Sequence, residues 1–339
     1  MKQDFGLNRH GNPTHLFTLE NERFKISVTD YGAALVSWID KNRNVELVAG
    51  FDSIEDYLNH TAHFGAMIGR VANRIKDAKF SLDSKTYYLS ANKGKNSLHG
   101  GFDGFDKFLF SGREEGNRLI FTGVSADGDE GYPGQLQITI VYELTDNGIH
   151  IEADGISDQK TLFGVTNHSY FNLNGDGLID HHRVMIPADF YAPNDESGTA
   201  TGELIACENT PFDFRTEKEI SQDFDSDDEQ IRMTGGYDHH YSIPGEGLRV
   251  MAECKANGLK LVTKSNLPGV HFYTGNFLNG DYTGHGNVSY TKHSRVCFEP
   301  EFYPNAINLE VHKKPILNAG EHDVQIIEYL LYEEDEQSS

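Results

Sequence analysis

The chain has 339 residues, of which 37% are hydrophobic, enough to form a sizeable core. It carries 52 acidic against 29 basic residues, and the formal net charge of −23 disfavours binding to nucleic acid or anionic lipid. Three scattered cysteines, an N-terminus without an apolar signal segment and the lack of a long apolar run predict a cytoplasmic protein with neither a disulfide framework nor a membrane span.

Short segments with alternating hydrophobic residues recur along the chain, each bounded by turn residues. They predict strands over 24–29, 33–39, 136–144, 149–153, 250–255, 259–263, 270–273, 295–298 and 324–331, and a hairpin over 80–89. Asn147-Gly148 and Asn257-Gly258 favour positive φ and predict two further hairpin turns. Only two short helices are predicted, over 53–58 and 216–224.

Because strands do not alternate with long helices, a parallel α/β fold is disfavoured. The pattern predicts a mostly β protein built as a large antiparallel β-sandwich. Neither a fixed repeat nor a low-complexity linker divides the sequence, so we expect a single domain over 1–339, with a frayed charged tail over 333–339.

Several familiar motifs are absent or incomplete. The phosphate-binding GxxxxGK[ST] and a GxGxxG after a strand are both missing, so no nucleotide cofactor is expected. The acidic stretch 223–230 (DFDSDDEQ) has Asp228 where a calcium loop needs glycine and Thr234 where it needs glutamate, which predicts a solvated loop. The adjacent histidines at 181–182 and 239–240 point to opposite faces of a strand, and neither HxH nor HExxH occurs. We therefore expect no metal and no cofactor.

Five polar clusters remain at the edges of predicted strands or loops. They are 69–75 (GRVANRI), 96–101 (NSLHGG), 166–174 (TNHSYFNLN), 235–241 (GGYDHHY) and 298–302 (FEPEF). Each has a structural explanation when taken alone: Arg70 and Arg74, for example, fit surface ion-pair partners. Their joint presence in this order instead indicates a functional site.

This joint pattern resembles the aldose 1-epimerase (galactose mutarotase) family over almost the whole chain. The shared motifs are, in family order, ANRI, LHGG, DGDEGYPG (127–134), TNHSYFNL, TPFDFR (210–215), GGYDHH and YTGNF (273–277). The resemblance implies a galactose mutarotase-like supersandwich whose open cleft binds a free aldohexose, such as galactose or glucose. It also implies interconversion of the α and β anomers by ring opening and reclosure, without metal, nucleotide or covalent intermediate.

The resemblance further implies the roles of individual residues. By motif match, Glu299 is the general base that takes the proton of the C1 hydroxyl, and His168 is the general acid at the ring oxygen, on the other side of the sugar. A nearby carboxylate would raise the pKa of His168. The other matched residues are expected to bind the sugar: His99 at the ring oxygen or its neighbour, Asn73 and Arg74 at hydroxyls, Asp238 at hydroxyls away from C1, and Tyr273 over one face.

The sequence departs from the family pattern at a few positions. Glu299-Pro300-Glu301 stands where the family commonly has ETQ, and residues two apart on a strand share a face, so Glu301 is a second candidate for the base. Pro300 lacks a backbone donor and predicts a strand edge. Gly164 stands where a proline is frequent, and the match weakens beyond residue 303.

Three other functions remain open. A non-catalytic sugar-binding module would show an aromatic platform without an acid–base pair. A glycosidase would use paired carboxylates such as Glu299 and Asp238, about 5 or about 6.5–9.5 Å apart across the sugar. A relative acting on phosphorylated hexose would need extra basic side chains, which the charge of −23 mildly disfavours. In every case we expect a small sugar ligand and a monomer or weak homodimer.

Overall fold

The structure is a computed structural model that describes residues 1–334. Its largest element is a nine-stranded sheet in which neighbouring strands are antiparallel. In spatial order the strands are Ser111–Glu115, Arg118–Ser125, Leu136–Thr145, Gly148–Ser157, His322–Glu333, Leu259–Ser265, Arg249–Ala256, Arg183–Met185 and Lys218–Glu219. Along Leu136–Thr145 buried side chains alternate with more exposed ones, as expected where one face of a sheet packs on a core.

Two smaller antiparallel sheets share that core. The N-terminal sheet contains, in spatial order, Lys2–Leu7, Pro13–Glu20, Phe24–Thr29, Leu35–Asp40 and Val45–Glu46. The other contains Tyr170–Phe171, Val296–Glu301, Gly269–Tyr273, Asp238–Ser242, Phe190–Tyr191 and Ile205–Ala206. One continuous apolar cluster joins the three sheets and includes Phe24, Ile138 and Phe298. The prediction of a mostly β fold with large antiparallel sheets is therefore confirmed.

Short strand pairs complete the β structure. They are Met67–Ile68 with Thr166–Asn167, Arg74–Ile75 with Ser97–Leu98, Lys79–Leu82 with Lys85–Tyr88, Thr161–Leu162 with Ile316–Leu317, and Tyr282–Thr283 with Ser289–Tyr290. The third pair is the hairpin predicted over 80–89. Thr166–Asn167 also contacts the strand Val296–Glu301, so the TNHSYFNL motif lies against the FEPEF motif.

The two hairpins predicted from Asn-Gly pairs both form, with different turn geometry. Leu259 pairs with Ala256 across Asn257-Gly258, where φ is 55° and 70°, as a two-residue turn with positive φ requires. Gly148 pairs directly with Thr145, so this glycine belongs to the strand, and its φ of 151° is a positive value that side chains rarely adopt.

The structure retains one predicted helix and revises the other. The helix Ile54–Asn59 begins where predicted, and the Ser53 hydroxyl caps it by accepting from the backbone amide of Asp56. The predicted helix over 216–224 is wrong in its first half, because Lys218–Glu219 joins the edge of the nine-stranded sheet. Only the 3₁₀ turn Ile220–Asp223 remains helical there.

A helix that was not predicted, Glu229–Thr234, begins inside the acidic stretch 223–230. The Asp228 carboxylate accepts from the amide of Gln230 at 2.8 Å and thereby caps its N-terminus. Other 3₁₀ turns are Lys76–Ala78, Phe105–Lys107, Asp129–Gly131, His285–Asn287 and Ala306–Asn308. Within residues 1–334, no helix has the length and apolar character needed to span a membrane.

The last strand extends into the segment for which fraying is predicted. Glu333 ends the strand His322–Glu333 and pairs with Leu259 of the neighbouring strand. Residues 335–339 of the predicted tail lie outside the described residues.

Candidate active site

A cavity of about 210 Å³ lies where the six-stranded sheet meets the loops that carry the polar motifs. All seven residues expected to form the site line it: Asn73, Arg74, His99, His168, Asp238, Tyr273 and Glu299. Four further lining residues matter below, namely His63, Lys93, His271 and Phe277. The seven expected residues alone span 226 positions in sequence, from Asn73 to Glu299.

The six-stranded sheet supplies one wall of the cavity through its register. His271 pairs with His240 on one neighbouring strand and with Glu299 on the other. Directly opposed residues point to the same face of a sheet, as do residues two apart along a strand. The face that carries His271 therefore also carries Glu299 and, two residues along that strand, Glu301. Tyr273, two residues after His271, and its partner Asp238 lie on this face as well.

The ANRI and LHGG motifs supply another wall through two residues with left-handed backbone. Asn73 has a φ of 60° and His99 a φ of 52°, conformations that cost a non-glycine residue on the order of 1–3 kcal/mol each. Reciprocal bonds hold them: the amide of Asn73 donates to Nδ1 of His99 at 3.2 Å, and the amide of His99 donates to the Asn73 carbonyl at 3.0 Å. This arrangement places both side chains, and the adjacent Arg74, at the cavity.

The two arginines of the GRVANRI cluster differ from surface ion-pair partners. Arg70 is 2% exposed, and its guanidinium donates to the hydroxyl of Ser125 and to the carbonyls of Pro133 and Ala126. Arg74 faces the cavity instead. Among residues 1–334, its Nε is buried and has no hydrogen-bond partner.

The expected acid and base are direct neighbours. Nε2 of His168 lies 3.5 Å from Oε2 of Glu299, and both side chains are almost completely buried. The imidazole is fixed by stacking on Tyr170, with ring centroids 5.0 Å apart, while its Nδ1 lies 3.7 Å from Sγ of Cys297. This proximity differs from the expectation that the two groups lie on opposite sides of a sugar.

Burial shifts the pKa values of this pair in opposite directions. It raises the pKa of Glu299 to about 8, despite the opposing effect of the nearby His271 cation. It lowers the pKa of His168 well below its usual value, and the charge of His63 adds to that effect. The expected net rise in the pKa of His168 is therefore wrong: the charge of Asp238 acts in that direction, but desolvation by burial dominates. At neutral pH the pair therefore holds one proton, located on Glu299.

The second candidate base, Glu301, is engaged by buried groups. Its Oε1 accepts from Nδ1 of His240 at 3.1 Å and lies 3.5 Å from Nδ1 of His271. The side-chain amide of Asn73 donates to the same oxygen at 3.4 Å. Burial alone would raise the pKa of Glu301, but the hydrogen bonds from both imidazoles hold it below its usual value. Glu301 is thus an ionised carboxylate whose Oε1 is engaged by three side chains, whereas Glu299 lines the cavity.

His271 is a cavity residue that the sequence motifs did not reveal. Its Nε2 donates to Oδ1 of Asp238 at 2.7 Å, while its other nitrogen faces Glu301. Burial opposes the charged form, yet these two carboxylates raise the pKa of His271 to about 10, so it is an imidazolium. A signal for it existed: His271 is two residues before Tyr273 on a predicted strand and therefore shares its face.

His63 was missed as well, and no motif marks it. It lines the cavity, and its ring lies 4.9 Å from that of His99 and 5.8 Å from that of His168. Its Nδ1 lies 2.9 Å from Oδ2 of Asp106, on a different loop. Only the folded chain brings these groups together.

Pro300 lies in a strand that has two neighbours, although one of them is short. It pairs with Val270 on one side, whereas the pairing with Tyr170–Phe171 on the other side ends at Cys297. The predicted strand edge is therefore local. On the side where no strand pairs with Pro300, its lack of an N–H group costs no hydrogen bond of the sheet.

The fold is a set of antiparallel β-sheets around a small polar cavity lined by titratable side chains, and the comparisons specify the family. The family model for aldose 1-epimerase matches residues 15–329. Galactose mutarotase of Bos taurus is 38% identical over 309 residues, 89% of either chain, and that of Homo sapiens is 37% identical over 322 residues, 92% of either chain.

Solved structures agree with these sequence matches. A crystal structure of an aldose epimerase homologue from C. elegans has a TM-score of 0.87 at 28% identity and covers 94% of this chain and 99% of its own. The chain belongs to the aldose 1-epimerase family. It is an isomerase that interconverts the anomers of aldoses, which excludes the glycosidase and the non-catalytic binding module.

Proposed function

We propose that this isomerase acts on free aldohexoses, galactose and glucose among them, through proton transfer by His168 and Glu299. The observation that carries the proposal is their separation of 3.5 Å in the wall of the cavity. Ring opening removes the proton of the C1 hydroxyl and supplies one to the ring oxygen, and both oxygens are bonded to C1. A donor and an acceptor that serve two such close atoms must themselves be close.

The step conserves the single proton of the pair. The proton first passes from Glu299 to His168 across their separation of 3.5 Å. The Glu299 carboxylate then takes the proton of the C1 hydroxyl as the imidazolium protonates the ring oxygen. The C1–ring oxygen bond breaks, and an open-chain aldehyde forms. After rotation about C1–C2, the ring oxygen attacks the other face of the carbonyl, Glu299 returns its proton to the C1 oxygen, and His168 regains its own. Each residue contributes on the order of 10²–10⁴ in rate.

The remaining cavity residues supply sugar contacts of different kinds. A sugar hydroxyl would satisfy the buried Nε of Arg74, which has no partner within residues 1–334. Asp238, kept ionised by His271, is an acceptor for hydroxyls. Asn73 and His99 offer further polar contacts. Tyr273 stacks with Phe277 at a centroid separation of 6.0 Å, which favours an aromatic surface for one face of the ring.

Charge in the cavity favours a free sugar over a phosphorylated one. Of the cationic residues that line it, Arg74 and Lys93 share the cavity with Asp238 and Glu299, and His271 is already bonded to Asp238 and Glu301. A phosphate dianion would therefore also meet the negative charge of the ionised Asp238. A neutral aldohexose avoids this repulsion.

The composition supports a proposal on the compartment and the oligomeric state of the protein. We infer a cytoplasmic monomer or weak homodimer that functions as one aldose 1-epimerase unit. Its three cysteines are free and buried, in keeping with a reducing compartment. Its charge of −23 opposes tight association between copies.

Polarimetry tests the function directly. Freshly dissolved α-galactose and α-glucose are followed with and without the protein, and the spontaneous rate is subtracted. We expect acceleration with both sugars by the wild type and a loss of about 10²–10⁴ in kcat for Glu299→Gln. An unchanged rate with the variant would refute the role of Glu299, and no acceleration by the wild type would refute the proposal itself.

A further inference from the structure

Cys297 is placed against both proton-transfer groups although mutarotation gives it no task. It lies two residues before Glu299 on the same strand, so both side chains point to one face. Its Sγ is 3.7 Å from Nδ1 of His168, and Nε2 of His168 is 3.5 Å from Glu299. One ligand atom from each of the three residues lies within 4.8 Å of the others, and all three are buried.

This combination of atoms suits a thiophilic cation. Zn²⁺ binds thiolate at about 2.3 Å and imidazole or carboxylate at about 2.0–2.2 Å, usually in a tetrahedron. Ligand atoms around such an ion are about 3.3–3.8 Å apart, as the same bond lengths require. Because the three ligand atoms lie within 4.8 Å of one another, the most distant pair must approach by up to about 1.5 Å, so that one imidazole nitrogen of His168 reaches the ion together with both other ligands. Three protein ligands leave the fourth position for water.

From this geometry we propose that His168, Cys297 and Glu299 form a binding site for Zn²⁺ or a similar thiophilic divalent cation, which inhibits the enzyme. The thiol and carboxyl protons pass to solvent as the sulfur–metal and oxygen–metal bonds form, and nothing is oxidised or reduced. The two anions balance the charge of the ion. Because the ion occupies both proton-transfer groups, it competes with the sugar. A soft ligand such as thiolate favours Zn²⁺ over Mg²⁺.

Metal binding is measured first, because this readout does not depend on mutarotase activity. Chelator-treated protein is titrated with Co²⁺, whose complexes with thiolate show a charge-transfer absorption. We expect one equivalent to produce this band in the wild type and Cys297→Ser to lose it, with affinity falling more than about tenfold. The matched controls Cys207→Ser and Cys254→Ser alter the other two buried free cysteines and should keep the band.

A measurement on the wild type covers the case in which Cys297→Ser does not fold. Excess galactose should weaken the apparent affinity for Co²⁺, because the ion and the sugar share Glu299 and His168. The proposal is overturned if the wild type shows no thiolate band, if a control variant loses it equally, or if galactose leaves the affinity unchanged in a protein that galactose saturates.

Inhibition is measured second and rests on the proposed function. Zn²⁺ should slow mutarotation by the wild type at least tenfold, EDTA should restore the rate, and an equal concentration of Mg²⁺ should have no effect. Each variant is compared with its own metal-free rate, and Cys297→Ser should need more than about tenfold more Zn²⁺. Equal sensitivity of both proteins contradicts the proposal, whereas a Co²⁺ band in a protein without mutarotase activity contradicts only the proposed function.

Discussion

His271 donates to Asp238 across 2.7 Å, and its opposite nitrogen faces Glu301 at 3.5 Å. With His240, which bonds Glu301 at 3.1 Å, these residues form a buried charge network (His240, Glu301, His271 and Asp238) along one face of the six-stranded sheet. The network keeps Asp238 ionised at the cavity and places a cation near Glu299. Both effects can be tested separately from the proton-transfer step.

The two carboxylates of the FEPEF motif should respond differently to amide substitution. Glu299→Gln removes the group that exchanges protons with the C1 hydroxyl, so kcat should fall by about 10²–10⁴. Glu301→Gln keeps an acceptor for His240 and should lower kcat less than about tenfold. Polarimetry at saturating galactose measures both. If Glu301→Gln proved the more damaging change, Glu301 would be the base.

Substitution of His271 should move a pKa as well as weaken sugar binding. His271→Gln removes the cation that holds down the pKa of Glu299, so that pKa should rise above its value of about 8. The alkaline limb of the kcat/KM profile should shift to higher pH accordingly. KM should increase too, since Asp238 loses its partner. A variant whose rate falls without any shift of the alkaline limb would indicate a purely structural role for His271.

The wild-type pH profile should reflect a pair that needs one proton. Above a pH of about 8, Glu299 loses that proton, no donor remains for the ring oxygen, and kcat/KM should fall. In acid, protonation of His168 gives the pair a second proton, and kcat/KM should fall again. Because the pKa of His168 lies well below its usual value, this acidic limb of the profile should lie well below pH 6.5. Polarimetry across pH, corrected for spontaneous mutarotation, gives both limbs. Activity that stays constant from pH 7 to about 10 would contradict the assignment.

Arg70 should matter for stability rather than for chemistry. Arg70→Met leaves the carbonyls of Pro133 and Ser125 buried without this donor, which should lower the free energy of unfolding by about 3 kcal/mol or more. The matched control is Arg113→Met, because Arg113 is exposed and pairs only with Glu115 among the ion pairs of residues 1–334. It should change stability by less than about 1 kcal/mol. Urea denaturation measures both, and equal effects would show that burial of Arg70 contributes little.

The sequence predicted the core strands well because their period of two is a local property. Leu136–Thr145 lies within one residue of its predicted bounds. The strand predicted from residue 33 begins instead at Leu35, since Ala33 adopts a left-handed φ of 44° in the preceding turn. Such a conformation is not expected of alanine from its side chain alone.

The site was predicted from motifs, whereas its electrostatics depend on the fold. All seven predicted residues line the cavity, because each lies in a motif of the family. The pKa direction of His168 was wrong, since complete burial is a tertiary property that a motif does not encode. His271 was missed because its importance arises from strand register, which places it opposite Glu299 and His240.

The charge network also constrains how this cavity can evolve. Replacing Glu301 with the glutamine that the family commonly has would leave the buried His271 cation with one carboxylate instead of two. Positions 271 and 301 should therefore change together among relatives, either both ionised or both neutral. A lineage that alters one of them first must cross a less stable intermediate, so we expect the two states to define separate branches of the family.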